Sequence, residues 1–163
     1  MKVQYFFGHR LALLLSLAAV LLSAGTITAQ DQGFEERSQL LVGTWELDLN
    51  KTLSSLKSSG RAYYDNLKEH KKSAIRDSFG TRRVTFGSDG SYTISSGKGQ
   101  MSGTWELYGD GETLAIFPGD GRAALEQRLI DIGQSKLELG LHPAAPDNQL
   151  FDVWHMKRIT NRK

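Results

Sequence analysis

No cysteine occurs among the 163 residues of the chain. Without disulfide staples any fold must rest on its apolar core, and no cysteine stands where a lipid anchor would be attached. An excess of one charge is lacking as well. Lysine and arginine number 20 against 18 acidic residues. The two basic residues within 1–29, Lys2 and Arg10, have no acid beside them, so the rest of the chain carries 18 of each sign. Phosphate binding needs surplus Lys and Arg on one face, and no nucleic-acid partner is expected. Catalytic signatures are missing too: there is no nucleophile elbow, no phosphate loop and no zinc-protease helix. His70, His142 and His155 stand apart in the sequence, without a His-x-x-x-His, Cys-x-x-Cys or calcium-loop pattern. The chain is therefore expected to have no catalytic residues, no metal site and no cofactor.

One long apolar run is present, LALLLSLAAVLL over 11–22, behind the positive charges of Lys2 and Arg10. Thr26-Ile27-Thr28-Ala29 then offers a small residue for cleavage, with Gln30 as the new N-terminus; a cut after Ala24 is the alternative. Residues 1–29 read as an export signal, against the other reading of an uncleaved anchor. The run is shorter than the roughly 20 residues of a membrane helix. The expected product is periplasmic or extracellular, has no stable membrane span, and is a monomer or weak oligomer. Residues 30–163 suffice for one core and are read as a single domain.

The most informative repeat within that domain is Gly43-Thr44-Trp45-Glu46-Leu47, which returns as Gly103-Thr104-Trp105-Glu106-Leu107. After a polar lead-in over 31–39, the first strand is predicted over 41–49, with Trp45, Leu47 and Leu49 on one face. Phe34, Leu40 and Leu41 are candidates to plug a barrel end. A helical insert follows over 51–79, because Leu53, Leu56, Tyr63, Leu67, Ala74 and Ile75 recur at helical spacing. Asn50 or Thr52 is expected to cap it, Ser58-Ser59-Gly60 to split it in two, and Gly80 to end it. Strands are then predicted over 81–87, 91–96, 101–108, 113–118, 123–132, 136–142 and 150–159. Asp89-Gly90, Asp110-Gly111 and Asp120-Gly121 form turns between them, since Asp-Gly suits positive φ. Strand 123–132 carries apolar residues on both faces, which a β-bulge near Arg128 would reconcile. The fold class is mainly β: an eight-stranded antiparallel up-and-down barrel with a helical insert between its first two strands.

Gly43-Thr44-Trp45 resembles the Gly-x-Trp of the calycin superfamily, which joins lipocalins and fatty-acid-binding proteins. The chain also looks like small exported bacterial proteins described as lipocalin-like. The resemblance implies that the first-strand Trp packs against a basic residue from the end of the last strand. Lys157-Arg158 stands at that place, and Trp45 with Arg158 is the expected structural lock. The insert after the first strand is similar to the helical lid of fatty-acid-binding proteins. Their terminal Arg-x-Tyr device is not matched, since Ile159-Thr160 follows Arg158.

On this reading a small, mostly apolar ligand binds in the barrel cavity. The expected wall is Phe86, Tyr92, Ile94, Trp105, Leu107, Ile116 and Leu139, with Tyr63, Tyr64 and Leu67 from the insert. For each of these, plain core packing is the competing explanation, because small barrels fill their interiors with side chains. The alternative function is a filled barrel acting through its surface as a cell-envelope interaction module. The insert's basic residues Lys57, Arg61, Lys68, Lys71, Lys72 and Arg76 read as a solvated face or as a site for an anionic surface. An enzymatic reading would have to use Glu126, Arg128 and His155 assembled in space.

Overall fold

The structure, a computed structural model, describes residues 29–141 and 150–160. Residues 1–28, which hold nearly all of the expected export signal, lie outside the described residues, as does the loop expected over 143–148. Ala29 and Gln30, which flank the expected cut, open the first helix, α1 (Ala29–Leu41).

β1 (Gly43–Leu47) leads into three short helices, α2 (Leu49–Ser54), α3 (Ser58–Asp65) and α4 (Glu69–Phe79). Seven strands follow: β2 (Arg83–Phe86), β3 (Ser91–Ser96), β4 (Gly99–Tyr108), β5 (Thr113–Pro118), β6 (Leu125–Ile132), β7 (Lys136–Leu141) and β8 (Val153–Arg158). Every strand pairs antiparallel with its neighbour in sequence, and β8 returns to β1, so the sheet is a closed eight-stranded up-and-down barrel. Closure removes the exposed edges that an open sheet of this size would present. Among the described residues no helix is long and apolar enough to cross a membrane.

Side-chain alternation divides the barrel cleanly. Trp45, Leu47, Val84, Phe86, Tyr92, Trp105, Leu107, Leu114, Ile116, Leu129, Leu137, Leu139 and Met156 form one buried cluster. Charged residues between them face out, as where Arg83 pairs with Glu46 at 3.2 Å. The bulge in β6 falls two residues beyond Arg128. Leu129 opposes Leu139 and Asp131 opposes Glu138, so Ile130 is the extra residue. Ile130 is exposed as a result, and Ile132 regains the inner face opposite Leu137.

The two ends of the barrel are built differently. At one end α1 packs across the opening, where Leu41 is fully buried. The lead-in read as polar is thus a helix. Its sequence AQDQGFEERSQLL has no apolar stripe, and it is held instead by tertiary contacts. Arg37 Nη1 donates to Gly111 O at 3.3 Å, and Trp45 Nε1 donates to Leu41 O at 2.8 Å, satisfying a carbonyl at the helix end. Gly43, at φ 133°, stands there because a Cβ would collide with Arg158 Nη1. The second pentapeptide needs its glycine for a different reason: a Cβ on Gly103 would strike the carbonyl of Phe117 on β5.

At the other end the chain leaves β1 two residues earlier than alternation suggested. Asp48 accepts from Lys51 N at 3.0 Å and caps α2, so Leu49 is helical rather than the last strand residue. Thr52 is buried and its Oγ1 accepts from His155 N at 3.1 Å, which ties α2 to β8. The insert has three helices rather than two, and Gly80 ends the last.

Candidate functional site

A cavity of about 770 Å³ lies at the insert end of the barrel. Its wall is assembled from inward positions of five consecutive strands and β8: Tyr92, Ile94 and Ser96 on β3, Met101 on β4, Ile116 on β5, Leu125 and Gln127 on β6, Leu141 on β7, and Trp154 on β8. Lys98, Arg122, Ala124 and Glu126 stand around it as well. The volume falls in the range of ordinary small-molecule sites, and the mixture of apolar wall with a few polar groups is of the same kind.

Arg82 is the cavity's distinctive polar group. It stands one residue before β2, and the period of two puts it on the same face as the buried Val84 and Phe86. Its backbone is fixed on both sides: N–H donates to Phe79 O at 3.0 Å, and its carbonyl accepts from Leu47 N at 3.0 Å. The guanidinium packs against two aromatic rings, 4.3 Å from the Phe79 centroid and 4.8 Å from that of Trp154. Those rings meet edge to face at 6.5 Å, and Phe151 packs on Phe79 at 5.1 Å. Nε of Arg82 is buried without a hydrogen-bond partner among the described residues. Burial pushes this guanidinium below the usual arginine range. The nearby phenol of Tyr92 is pushed up to about 12, chiefly by burial and against the pull of Arg82, so it keeps its proton at neutral pH.

The expected wall residues divide into three groups. Tyr92, Ile94 and Ile116 line this cavity. Phe86, Trp105, Leu107 and Leu139 face inward but are packed into the core towards the α1 end and do not line it. Phe86 meets Trp105 edge to face at 5.7 Å, and Trp105 Nε1 donates to Gly87 O at 3.1 Å. Tyr63, Tyr64 and Leu67 do not line it either. Tyr63 is 62% exposed, while Tyr64 is buried with Lys72 Nζ 5.7 Å from its ring. The insert meets the cavity at Arg82, just after α4, whose last residue Phe79 backs that guanidinium. Arg82 was legible in principle, because alternation from Val84 and Phe86 points it inward.

Arg158 lies over Trp45 at 4.2 Å. Its Nη1 donates to Val42 O at 2.7 Å and its Nε to Gln134 O at 2.6 Å, with Leu40 O accepting from Nη2. Glu126, Arg128 and His155 are not gathered into one site. Glu126 and Arg128 oppose Ala115 and Thr113 on the outer face, and only Glu126 borders the cavity. His155 faces α2 from the outside, its Nδ1 3.1 Å from Glu138 Oε1, which also accepts from Lys51 Nζ at 3.1 Å. Burial raises the Glu138 carboxyl, but these hydrogen bonds outweigh it and hold it below its ordinary value. Among the described residues no cluster of three or more His, Asp or Glu suits a metal ion.

No protein-family model and no curated protein matches the chain. Two solved structures are similar in fold. One is a DUF4847 family protein from Bacteroides vulgatus, 17% identical, covering 76% of this chain and 96% of its own, with a TM-score of 0.45. The other is a lipocalin-like protein from Bacteroides uniformis, 13% identical, covering 73% of this chain and 97% of its own, with a TM-score of 0.39.

Proposed function

We propose that this protein is an exported, periplasmic or extracellular binding protein that holds a small, mostly apolar ligand in its barrel cavity, with no chemistry done on it. The observation that carries the reading is the cavity of about 770 Å³ at the insert end of a closed barrel. A closed sheet with short turns is a stiff container, so a ligand there meets a largely preformed wall. Burial of apolar surface drives binding, with each 100 Å² or so withdrawn from water contributing roughly 2.5 kcal/mol before the cost of immobilisation. A second reading, a barrel acting through its surface, draws on the packed half around Trp45, Phe86 and Trp105.

Native mass spectrometry on protein purified without detergent from cells that express it separates the two. A discrete copurified mass of a few hundred daltons, lost on unfolding, is the expected result. A bare protein mass, together with no response from an apolar dye, transfers the role to the surface.

A further inference from the structure

We infer that the ligand carries an oxyanion head, a carboxylate or phosphate, received by Arg82 and the Tyr92 hydroxyl, while its apolar body lies against Ile94, Met101, Ile116 and Leu141. The inference rests on the binding reading above and narrows it to a chemical class.

The argument starts from a contrast between adjacent residues. Arg83 points outward and has an acid partner, Glu46, at 3.2 Å. Arg82 points inward, and among the described residues no ion pair joins it to a carboxylate and its Nε has no hydrogen-bond partner. A partly buried cation without a counter-ion is costly, and a fold that needed only packing would be served better by an apolar side chain. The second leg is orientation. Phe79 and Trp154 both pack on the guanidinium, at 4.3 and 4.8 Å, and meet each other edge to face. These contacts hold the group and seal its Nε, so a planar oxyanion would be met by the terminal Nη groups. The two rings and the two backbone hydrogen bonds of Arg82 position it in advance, which lowers the ordering cost of binding.

The third leg is the character of the rest of the cavity. Tyr92 is 4% exposed and its phenol is neutral, so it can donate. Lys98 and Arg122 stand at the same cavity, against one carboxylate, Glu126. Arg122 is engaged with Asp120 at 2.7 Å, so the local balance still favours an anion. Ile94, Met101, Ile116 and Leu141 supply an apolar stretch of the wall, which suits one charged head on an apolar body.

The test is displacement of the neutral dye N-phenyl-1-naphthylamine by three ligands of equal chain length: dodecanoate, dodecyl phosphate and dodecan-1-ol. The expected result is that at least one of the two anions binds about tenfold or more tighter than the alcohol, as a charge-assisted hydrogen bond warrants. Which anion wins identifies the head. Arg82→Gln should remove that advantage, read as the ratio of anion to alcohol affinity within the variant, and Arg82→Lys should keep part of it. Equal affinity for alcohol and anions, or an anion advantage that survives Arg82→Gln, overturns the assignment and leaves the binding reading standing. Absence of dye and of all three ligands from the wild-type cavity overturns both.

Discussion

Two arginines lie against aromatic rings at opposite ends of the barrel, and they differ in what their N–H groups meet. Arg158 lies over Trp45, and the carbonyls of Leu40, Val42 and Gln134 accept from its nitrogens. Arg82 packs against Phe79 and Trp154, and among the described residues its buried Nε has no hydrogen-bond partner. The ring contacts are alike in kind. The first arginine is satisfied by the chain itself, at the end where α1 is packed across the opening and the core is dense. The second is left wanting, at the end where the cavity lies. An arginine whose N–H groups the chain satisfies is a lock, and one whose N–H groups it leaves short is, on the proposal above, a receptor.

The largest expected effect is at the packed end. Trp45→Ala removes a fully buried indole together with its hydrogen bond to Leu41 O. It should cost about 3–5 kcal/mol, enough to leave much of the protein unfolded, as read by urea denaturation. Arg158→Gln comes next. It deprives partly buried carbonyls of donors and should cost about 2–3 kcal/mol in the same measurement. A loss under about 0.5 kcal/mol would mean that the lock is ornamental and that the contrast between the two arginines is void.

Tyr92 supplies a comparable effect at the open end, visible only at high pH. Its folded pKa of about 12 lies above the ordinary value near 10. The folded state therefore binds the proton more tightly than the unfolded one. Its contribution is fully present below pH 10 and is lost as pH rises towards 12, by on the order of 2 kcal/mol. Urea midpoints should fall across that window in the wild type and fall less in Tyr92→Phe. Equal slopes in the two proteins would place Tyr92 in a wetter setting than the cavity wall.

The smallest effect on stability is expected at Arg82. Arg82→Gln removes a cation without an acid partner, and its cost should stay within about 1 kcal/mol of zero, with a gain permitted. Near-neutral stability beside a lost preference for anionic ligands is the pattern of a binding group. A loss as large as that of Arg158→Gln would make Arg82 a second lock instead.

Much of the architecture was legible because its signals are local. Gly43-Thr44-Trp45 opens β1, alternation marks the strands, and the Asp-Gly pairs fall between them, with Gly90, Gly111 and Gly121 at φ near 80°. α1 was not legible, since a helix without an apolar stripe leaves no periodic trace and is stabilised only by what it packs against. The end of β1 was misread because Leu49 continues the alternation while Asp48 starts a helix. Where the cavity lies was harder still. Phe86, Trp105, Leu107 and Leu139 share the inner face with Tyr92, Ile94 and Ile116, and alternation cannot tell them apart. Their fates differ by height along the barrel axis, which is decided by the end that α1 covers.

The central claim is that the insert end holds a usable cavity and the α1 end does not. It is tested most directly by titrating N-phenyl-1-naphthylamine into the wild type and into Ile94→Trp, a half-buried wall position where the larger side chain fills the space. The account predicts saturable, single-site fluorescence enhancement in the wild type. It predicts at least a tenfold loss of affinity in Ile94→Trp with the urea midpoint little changed. No saturable signal in the wild type, or an unaltered one in Ile94→Trp, would contradict it.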